Sequence, residues 1–286
     1  MRSIPVQEGL WVDSAQSARE FTGLAPAGVL SRIFGLEPER CLRRMPGRET
    51  FPWPGRSEWV VKRTRGGEAR DHWHDRLRGR SRSPARREAE NLAALRAIGV
   101  ASPRPLLWVE EEAARGHPSR GGRSALVLET VPHAESLRQR LERAQAPERR
   151  SLSRELLDLV VRLHQGGWVH RDLYLEHMVL SAEGGRERLV LLDAGRARRP
   201  RLFVRRWLVK DLAALLHSTP GTVSRAERLR FLLGWLEDVQ GSRAAVRRWA
   251  RAIERKRRAL ARHAPRHVDP DSVEGLARAS RLEARG

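Results

Sequence analysis

The stretch WVHRDLYLEHMVL, residues 168–180, places His, Arg, Asp and Glu side chains between apolar residues that are typical of a protein core. A solvent-exposed loop would not need Val169, Leu173 or the run from Met178 to Leu180, and a plain β-strand would not tolerate His-Arg-Asp. Charged groups held in place by a core are typical of a functional site. The stretch therefore predicts a firmly supported polar loop, and the surrounding elements indicate which site it serves.

The first part of the chain has strand patterns around one well-marked helix. SEWVVKR (57–63) alternates and is rich in Trp and Val, and PLLWVEE and SALVLET predict two further strands. Between them, SPARREAENLAALRAIGV predicts a helix that Ser83 caps and Gly99 ends. Residues 1–50 predict little beyond a short helix that ends near Gly35.

After Pro132 the patterns become helical, apart from one small hairpin. The helical segments are ESLRQRLERA, SLSRELLDLVVRLHQGG, VKDLAALLHS, SRAERLRFLLGWLEDV with a Ser224/Glu227 capping box, and the basic stretch SRAAVRRWARAIERKRRALARHA. The strands HMVL and RLVLLD form the hairpin. We therefore predict an α+β chain with a small β-rich lobe at residues 1–132 and a larger helical lobe at 133–286, whose tail after about residue 265 is poorly ordered.

Charge, cysteine content and apolar runs limit the partners, the disulfides and the location that we expect for the protein. The formal net charge is +21, and only three of the 56 basic residues are lysines. Such a surface favours an anionic partner, that is, nucleic acid, an anionic membrane or a phosphorylated substrate, with a merely solvated basic surface as the alternative. Cys41 is alone, which excludes an internal disulfide. Neither a signal-peptide core nor an apolar run of about 18 residues is present, so we expect a cytoplasmic protein, or one peripheral on the cytosolic face of a membrane.

Lys62 and Glu88 are charged residues on otherwise apolar faces. A compact ammonium suits close contact with phosphate oxygens, although Lys62 could instead be an edge-strand lysine that prevents aggregation. Glu88 shares a helical face with Leu92 and Leu95, whereas Glu90 does not. A carboxylate on an apolar stripe is costly unless it is paired, so we predict a Lys62–Glu88 ion pair; the alternative is a half-exposed Glu88 at the edge of the stripe.

The polar loop and a later acidic residue complete an ordered set. Residues 170–173, His-Arg-Asp-Leu, followed by three residues and His177, resemble the protein-kinase catalytic loop H-R-D-L-x-x-x-N. Asp193 opens a D-x-G sequence after the hairpin, where a kinase carries D-F-G. The strand Lys, the helix Glu and these two motifs occur in the kinase order. This resemblance implies a bilobal, protein-kinase-like fold.

The departures from that pattern resemble a narrower family. HRDLYLEHMVL is similar to the H-R-D-[LF]-Y-x-x-H signature of the lipopolysaccharide kinases, the Kdo and heptose kinases of WaaP type, with Tyr174 and His177 where Ser/Thr kinases carry Lys and Asn. RWLVKDLAALLHS and RREAENLAALRAIGVASPRPL also resemble segments of that family, so that the resemblance spans roughly residues 58–236. GRETFPWPG (47–55) is the candidate for the hairpin that covers the nucleotide phosphates, although it lacks the kinase glycine motif.

The resemblance implies an ATP- and Mg²⁺-dependent phosphotransferase. Lys62, held by Glu88, would contact the α- and β-phosphates of ATP. Backbone groups of Glu129, Thr130 and Val131 would meet the adenine ring.

The same resemblance assigns the remaining chemistry. Asp172 would be the base that accepts the proton of the acceptor hydroxyl, and Asp193 would bind Mg²⁺. His177 stands at the second metal position; since imidazole is a poorer Mg²⁺ ligand than oxygen, it either binds the ion or hydrogen-bonds Asp172 or a metal-bound water. Asp211, expected near the start of its helix, would either cap the backbone of the loop or act as an ordinary N-terminal carboxylate.

Tyr174 leaves the site short of a positive charge. Protein kinases use a Lys at this position near the transferred phosphoryl group, and a tyrosine is uncharged at neutral pH. The candidates to replace it are Arg196 and Arg198, just past Asp193, and the loop from Arg76 to Arg82.

Three functional hypotheses follow. The first is a kinase that phosphorylates a Kdo or heptose hydroxyl of the lipopolysaccharide core, an anionic glycolipid, in peripheral contact with an anionic membrane. The second is a kinase of the same fold for a protein or a soluble small molecule. The third is a catalytically dead scaffold or a basic nucleic-acid binder; the retained catalytic residues disfavour a dead kinase, and the lack of a recognition motif disfavours specific nucleic-acid binding. DHWHD (71–75) is interpreted as a polar loop rather than a metal site, and His164 as a satisfied residue at a helix end.

Overall fold

The structure is a computed structural model that describes residues 4–7, 9–12, 21, 23–66, 83–111, 122–183 and 186–262. The DHWHD motif, the arginines from Arg76 to Arg82 and the tail after residue 265 lie outside the described residues. What the sequence predicts for those three segments stays a prediction.

The first lobe is built on an antiparallel sheet of seven strands, in the order β1-β2-β6-β7-β5-β4-β3. Residues of β5 alternate between buried and half-buried, which places Val61 toward the core and Lys62 on the opposite face. Helix α1 (Pro26–Phe34) contributes buried side chains to this core. The strands are β1 (Ile4–Gln7), β2 (Leu10–Val12), β3 (Arg43–Met45), β4 (Arg48–Trp53), β5 (Arg56–Thr64), β6 (Pro105–Glu110) and β7 (Ser124–Glu129).

Helix α2 (Pro84–Ala97) joins the two lobes. The Ser83 hydroxyl accepts a hydrogen bond from the backbone N–H of Arg86 (3.1 Å), so the predicted cap is confirmed. Leu92 and Leu95 on this helix belong to the same core cluster as the apolar residues of the second lobe. Glu88 lies on that face and is only 2% exposed, which makes its charge costly unless it is paired.

The second lobe is mainly helical and carries a three-stranded sheet in the order β10-β9-β8. The apolar stripe of α4 is buried, as its 3.6-residue period predicts. Together the two lobes confirm the α+β, bilobal, kinase-like fold. The elements are β8 (His133–Ser136), α3 (Leu137–Arg143), α4 (Ala146–Gln165), β9 (Met178–Glu183), β10 (Arg186–Leu191), α5 (Val204–Ser218), α6 (Arg225–Gln240) and α7 (Val246–Ala261).

Helix α5 corrects one expectation. It begins at Val204, five residues before the apolar pattern VKDLAALLHS, so Asp211 lies in the middle of the helix and not near its start. The prediction starts the helix too late. The apolar stripe already begins with Val204, Trp207 and Leu208 at positions i, i+3 and i+4, although Val204, Arg205 and Arg206 are exposed. Asp211 is therefore not an ordinary carboxylate at a helix N-terminus.

Candidate active site

The polar loop runs from the end of α4 to the start of β9, and apolar contacts hold it on both sides. Val169 pairs with Arg198 through two backbone hydrogen bonds of 2.9 Å. Leu173 and Leu175 are buried in the core of the second lobe. The apolar flanks of the stretch therefore anchor the loop, as its sequence predicts.

The buried carboxylate of Asp211 holds the backbone of the loop in place. One of its carboxylate oxygens accepts the N–H of His170 and the other accepts the N–H of Arg171, both at 2.7 Å. His164 places Nε2 at 3.4 Å from the same carboxylate, and its Nδ1 accepts the indole N–H of Trp235 at 2.9 Å. Because an indole N–H can only donate, the proton of neutral His164 lies on Nε2, toward Asp211. This buried chain holds Arg171 at a φ of 73°, a conformation that a non-glycine residue adopts only when its surroundings enforce it.

The sequence alone did not reveal this supporting chain. It predicts that Asp211 could cap the loop, but it treats His164 only as a satisfied residue at a helix end. The signal that could have found the chain is the V-K-D-L-A segment, whose aspartate needs buried partners once it is placed mid-helix.

Two cations flank the carboxylate of Asp172. Arg196 Nη1 lies 3.1 Å from its Oδ2, and Lys210 Nζ lies 3.5 Å from its Oδ1. Lys210 also donates a hydrogen bond to the carbonyl of Arg171. Burial lowers the pKa of Lys210 and outweighs the opposing effect of Asp172. Arg198 takes no part, because its guanidinium lies over the ring of Trp207, 3.8 Å from the centroid.

His177 faces the same loop. Its Nδ1 lies 2.9 Å from the backbone carbonyl of Asp172. Since a carbonyl oxygen can only accept, Nδ1 carries the proton and Nε2 of a neutral ring keeps its lone pair. Tyr174 packs its ring edge-on against both His177 and His217. The pKa of Tyr174 is raised by burial and by the charge of Asp172, so the phenol stays neutral.

Glu88 is shared by two cations from the first lobe. Lys62 Nζ donates to one of its carboxylate oxygens, and Arg48 Nη2 lies 3.2 Å from the other. Glu90 instead pairs with Arg86 at 3.0 Å on the outer face of the helix. The structure therefore forms the predicted Lys62–Glu88 pair and adds Arg48, which the sequence did not indicate.

Asp193 lies between the lobes with a φ of 53°. Burial acts to raise the pKa of its carboxyl, but the charges of Lys62 and Arg48 outweigh burial and hold this pKa well below its ordinary value. Its Oδ1 accepts the N–H of Gly195 at 3.3 Å, and Arg43 Nη1 lies 3.9 Å from its Oδ2. Asp193 is therefore an ionised carboxylate across the pH range in which proteins function.

Helix α2 binds the D-x-G segment directly. The side-chain amide of Asn91 donates to the carbonyls of Ala194 and Ala197, both at 2.8 Å, and Arg87 Nε donates to the carbonyl of Gly195 at 3.1 Å. A side chain at Gly195 would place its Cβ 3.4 Å from a carboxylate oxygen of Glu88. Glu88 and Asp193 are thus positioned by one connected unit.

The hairpin nearest these charges is β3–β4, which shares Gly47 and strand β4 with the segment 47–55. Arg43 and Arg48, on either side of the turn at Pro46–Gly47, reach Asp193 and Glu88. The turn at Pro54–Gly55 lies at the other end of β4, where it joins β5. Gly47 has a φ of 72°, and a Cβ there would lie 2.7 Å from the carbonyl oxygen of Arg65, so only glycine fits this turn.

The connection between the two sheets is tied down on both sides. The N–H of Thr130 donates to the carbonyl of Glu58 at 2.8 Å, and the N–H of Glu129 donates to the carbonyl of Arg104 at 2.9 Å. His133 Nδ1 lies 2.6 Å from the carbonyl of Val131. Hydrogen bonds to neighbouring segments therefore hold this connection in place.

Within the described ranges, no group of three His, Cys, Asp or Glu side chains is arranged to hold a metal ion on its own. In the same ranges, no helix has the length and apolar character that crossing a membrane requires.

The chain is similar to known proteins in sequence and in fold. The model of the lipopolysaccharide kinase (Kdo/WaaP) family matches residues 50–235. A solved structure described as WaaP in complex with acyl carrier protein has a TM-score of 0.66 and 23% sequence identity, and the match covers 88% of this chain and 98% of that chain. No curated protein matches the chain. At that identity, the likeness to the solved structure shows the fold.

Proposed function

The chain belongs to the lipopolysaccharide kinase (Kdo/WaaP) family and is a kinase, and we propose that it transfers a phosphoryl group from ATP to a Kdo or heptose hydroxyl of the lipopolysaccharide core at the cytosolic membrane face. The observation that carries this proposal is the convergence of three charged sets in one cleft. They are the Lys62–Glu88 pair, the ionised Asp193, and Asp172 with its two cations.

ATP fits the first-lobe side of the cleft. Lys62 and Arg48 would meet the phosphate oxygens while Glu88 holds both side chains in place. The N–H groups of Glu129 and Thr130 already donate within the protein, so the adenine ring would meet the carbonyl oxygens and the Val131 N–H of this connection. The same connection is our proposed boundary between the lobes, at residues 132 and 133.

Mg²⁺ fits the opposite side. The low pKa of Asp193 keeps a carboxylate available, and Nε2 of His177 offers a lone pair to the ion or to a water bound to it. When bound, Mg²⁺ would neutralise charge on the phosphate oxygens during transfer. A site with few protein ligands is usual for this ion, which keeps several waters.

Asp172 would accept the proton of the sugar hydroxyl, and Arg196 would meet the charge that develops on the transferred group. Its guanidinium already lies 3.1 Å from Asp172, so it supplies the positive charge that Tyr174 lacks. Lys210, tied to the carbonyl of Arg171, would help to orient the carboxylate. The sequence proposed Arg196 and Arg198 together; the geometry favours Arg196.

The partner of the solved neighbour suggests a second partner for this chain. A cavity of about 680 Å³ lies among α4, α5, α6 and α7, next to Leu175 of the catalytic loop. Nine leucines and four other apolar residues line it together with five arginines, which suits an acyl chain that an acyl carrier protein presents. Stronger binding of the acylated carrier protein than of the unacylated one would support this partner, and equal binding would exclude the cavity.

The test of the main proposal is ATP turnover by the purified chain with Mg²⁺. We expect turnover to rise with Kdo-containing lipid or heptosylated core and to respond little to a casein-like protein. Efficient phosphorylation of a protein, with no response to glycolipid, would instead establish a protein kinase.

A further inference from the structure

Three consecutive apolar side chains protrude where the segment that follows Asp193 reaches helix α5. Leu202 is 73% exposed, Phe203 is 77% exposed and Val204 is 43% exposed. In the part of the chain that the structure describes, the other exposed large apolar residues, Leu42 and Leu229, stand singly. A run of this kind is unlike the scattered apolar residues of an ordinary surface. We call residues 202–204 the apolar tip.

The backbone of the tip is strained. Phe203 has φ 56° and ψ 33°, in the left-handed region, where a bulky residue is an outlier. Core packing does not explain this conformation, because the ring is exposed. Strain that packing does not require is a reason to look for a function.

The surroundings of the tip are strongly basic. The sequence has no acidic residue between Asp193 and Asp211. Five arginines in this interval are exposed: Arg196, Arg199, Arg201, Arg205 and Arg206. Three of them lie against tryptophan rings, which restricts their movement: Arg199 on Trp168, Arg205 on Trp249 and Arg206 on Trp207.

The tip is also coupled to the candidate active site. Arg198, four residues before Leu202, pairs with Val169 of the catalytic loop, and Arg196 contacts Asp172. A short stretch of chain that is anchored on the catalytic loop therefore leads directly to the tip.

We propose that the apolar tip inserts into the interface of an anionic lipid bilayer while the surrounding arginines bind headgroup phosphates. Convex apolar side chains within a ring of cations suit an interface whose interior is apolar and whose surface is negative. A protein partner would need these side chains to fill a pocket, and nothing about a protruding, strained turn favours that. This membrane contact is part of the proposed function. It rests on that function only for the identity of the acceptor.

The experiment is flotation of the full chain with phosphatidylcholine vesicles that contain or lack phosphatidylglycerol. We expect wild type to bind only the anionic vesicles, and less as salt rises. The double variant Leu202→Ser/Phe203→Ser should lose about tenfold or more in vesicle affinity, since two large apolar side chains no longer leave water. The matched control is Leu42→Ser, just before β3, which should bind like wild type.

A second variant separates binding from folding. Phe203→Gly relieves the left-handed strain, so its Tm should not fall, yet its vesicle affinity should fall as in the double variant. Unchanged binding by both tip variants would overturn the proposal, and so would an equal loss in Leu42→Ser. Retained vesicle binding with loss of binding to an acidic protein would assign the tip to a protein partner. Flotation needs neither ATP nor an acceptor, so a failed kinase assay would leave its result intact.

Discussion

The guanidinium of Arg196 lies 3.1 Å from the carboxylate of Asp172. Two positions after Asp172, the chain has Tyr174, where protein kinases have a lysine. Arg196 therefore brings a positive charge next to Asp172, where Tyr174 brings none. The arrangement predicts that Arg196 acts on the transferred group.

Arg196→Gln should lower kcat about a hundredfold, because a donor aimed at developing charge is removed from the transition state. The KM for ATP should change little, since Lys62 and Arg48 remain. Steady-state kinetics with the glycolipid acceptor would measure both. Arg198→Gln is the matched control and should keep its turnover, because that guanidinium lies over Trp207. Equal losses in the two variants would remove the special role of Arg196.

Glu88→Gln should weaken ATP binding and lower the Tm. A buried carboxylate that neutralises two cations becomes an amide, which leaves Lys62 and Arg48 to repel each other. Glu90→Gln removes only a half-exposed pair with Arg86, of about 0.3–0.5 kcal/mol, and should leave both quantities unchanged. Nucleotide titration and thermal unfolding of the two variants would decide. A silent Glu88→Gln would contradict the shared-carboxylate arrangement.

Asp193→Asn should abolish Mg²⁺-dependent turnover while the chain stays folded at neutral pH. The free energy of unfolding of the variant should also change less with pH in the acid range than that of wild type. The pKa of Asp193 in the folded chain is held below its ordinary value of 3.8, so its ionised form stabilises the fold above that value. This stabilisation is lost as the pH falls through the folded pKa. Urea unfolding over a pH series would reveal the difference, and superimposable curves for wild type and variant would refute it.

Trp235→Phe should lower the free energy of unfolding by about 1–3 kcal/mol, because it leaves buried Nδ1 of His164 without its donor. The ring of Trp249 packs against that of Trp235. Trp249→Phe keeps the hydrogen bond to His164 and should lower the free energy of unfolding by less. Denaturant titrations of the two variants would compare the costs. In the double variant Trp235→Phe/Asp211→Asn, the losses in the free energy of unfolding should not add, since both changes act on one chain of contacts. Strict additivity would mean that the chain is not continuous.

The sequence predicts those features of the site that depend on the residue period of a single strand or helix. The two-residue period of β5 and the helical period of α2 place Lys62 and Glu88 on facing surfaces, and their pairing follows from charge. Arg48 escaped prediction because its approach to Glu88 depends on a hairpin that folds over the cleft. His164 and Trp235 are 71 positions apart, so only the packing of α4 on α6 brings them together. The start of α5 was placed too late, although Val204, Trp207 and Leu208 already follow the helical apolar period, because the arginines between them interrupt the apolar run.

The two hydrogen bonds from Asn91, with the one from Arg87, have a consequence for how such an enzyme could be regulated. Many switches work by swinging a helix outward so that its carboxylate leaves the lysine. Here an outward swing of α2 would first have to break three hydrogen bonds to the D-x-G segment, which itself would be dragged from its place. These hydrogen bonds hold the helix and the segment that follows Asp193 together while Lys62 and Glu88 are paired. We therefore expect the delivery of the acceptor, rather than a movement of α2, to set the activity of the enzyme.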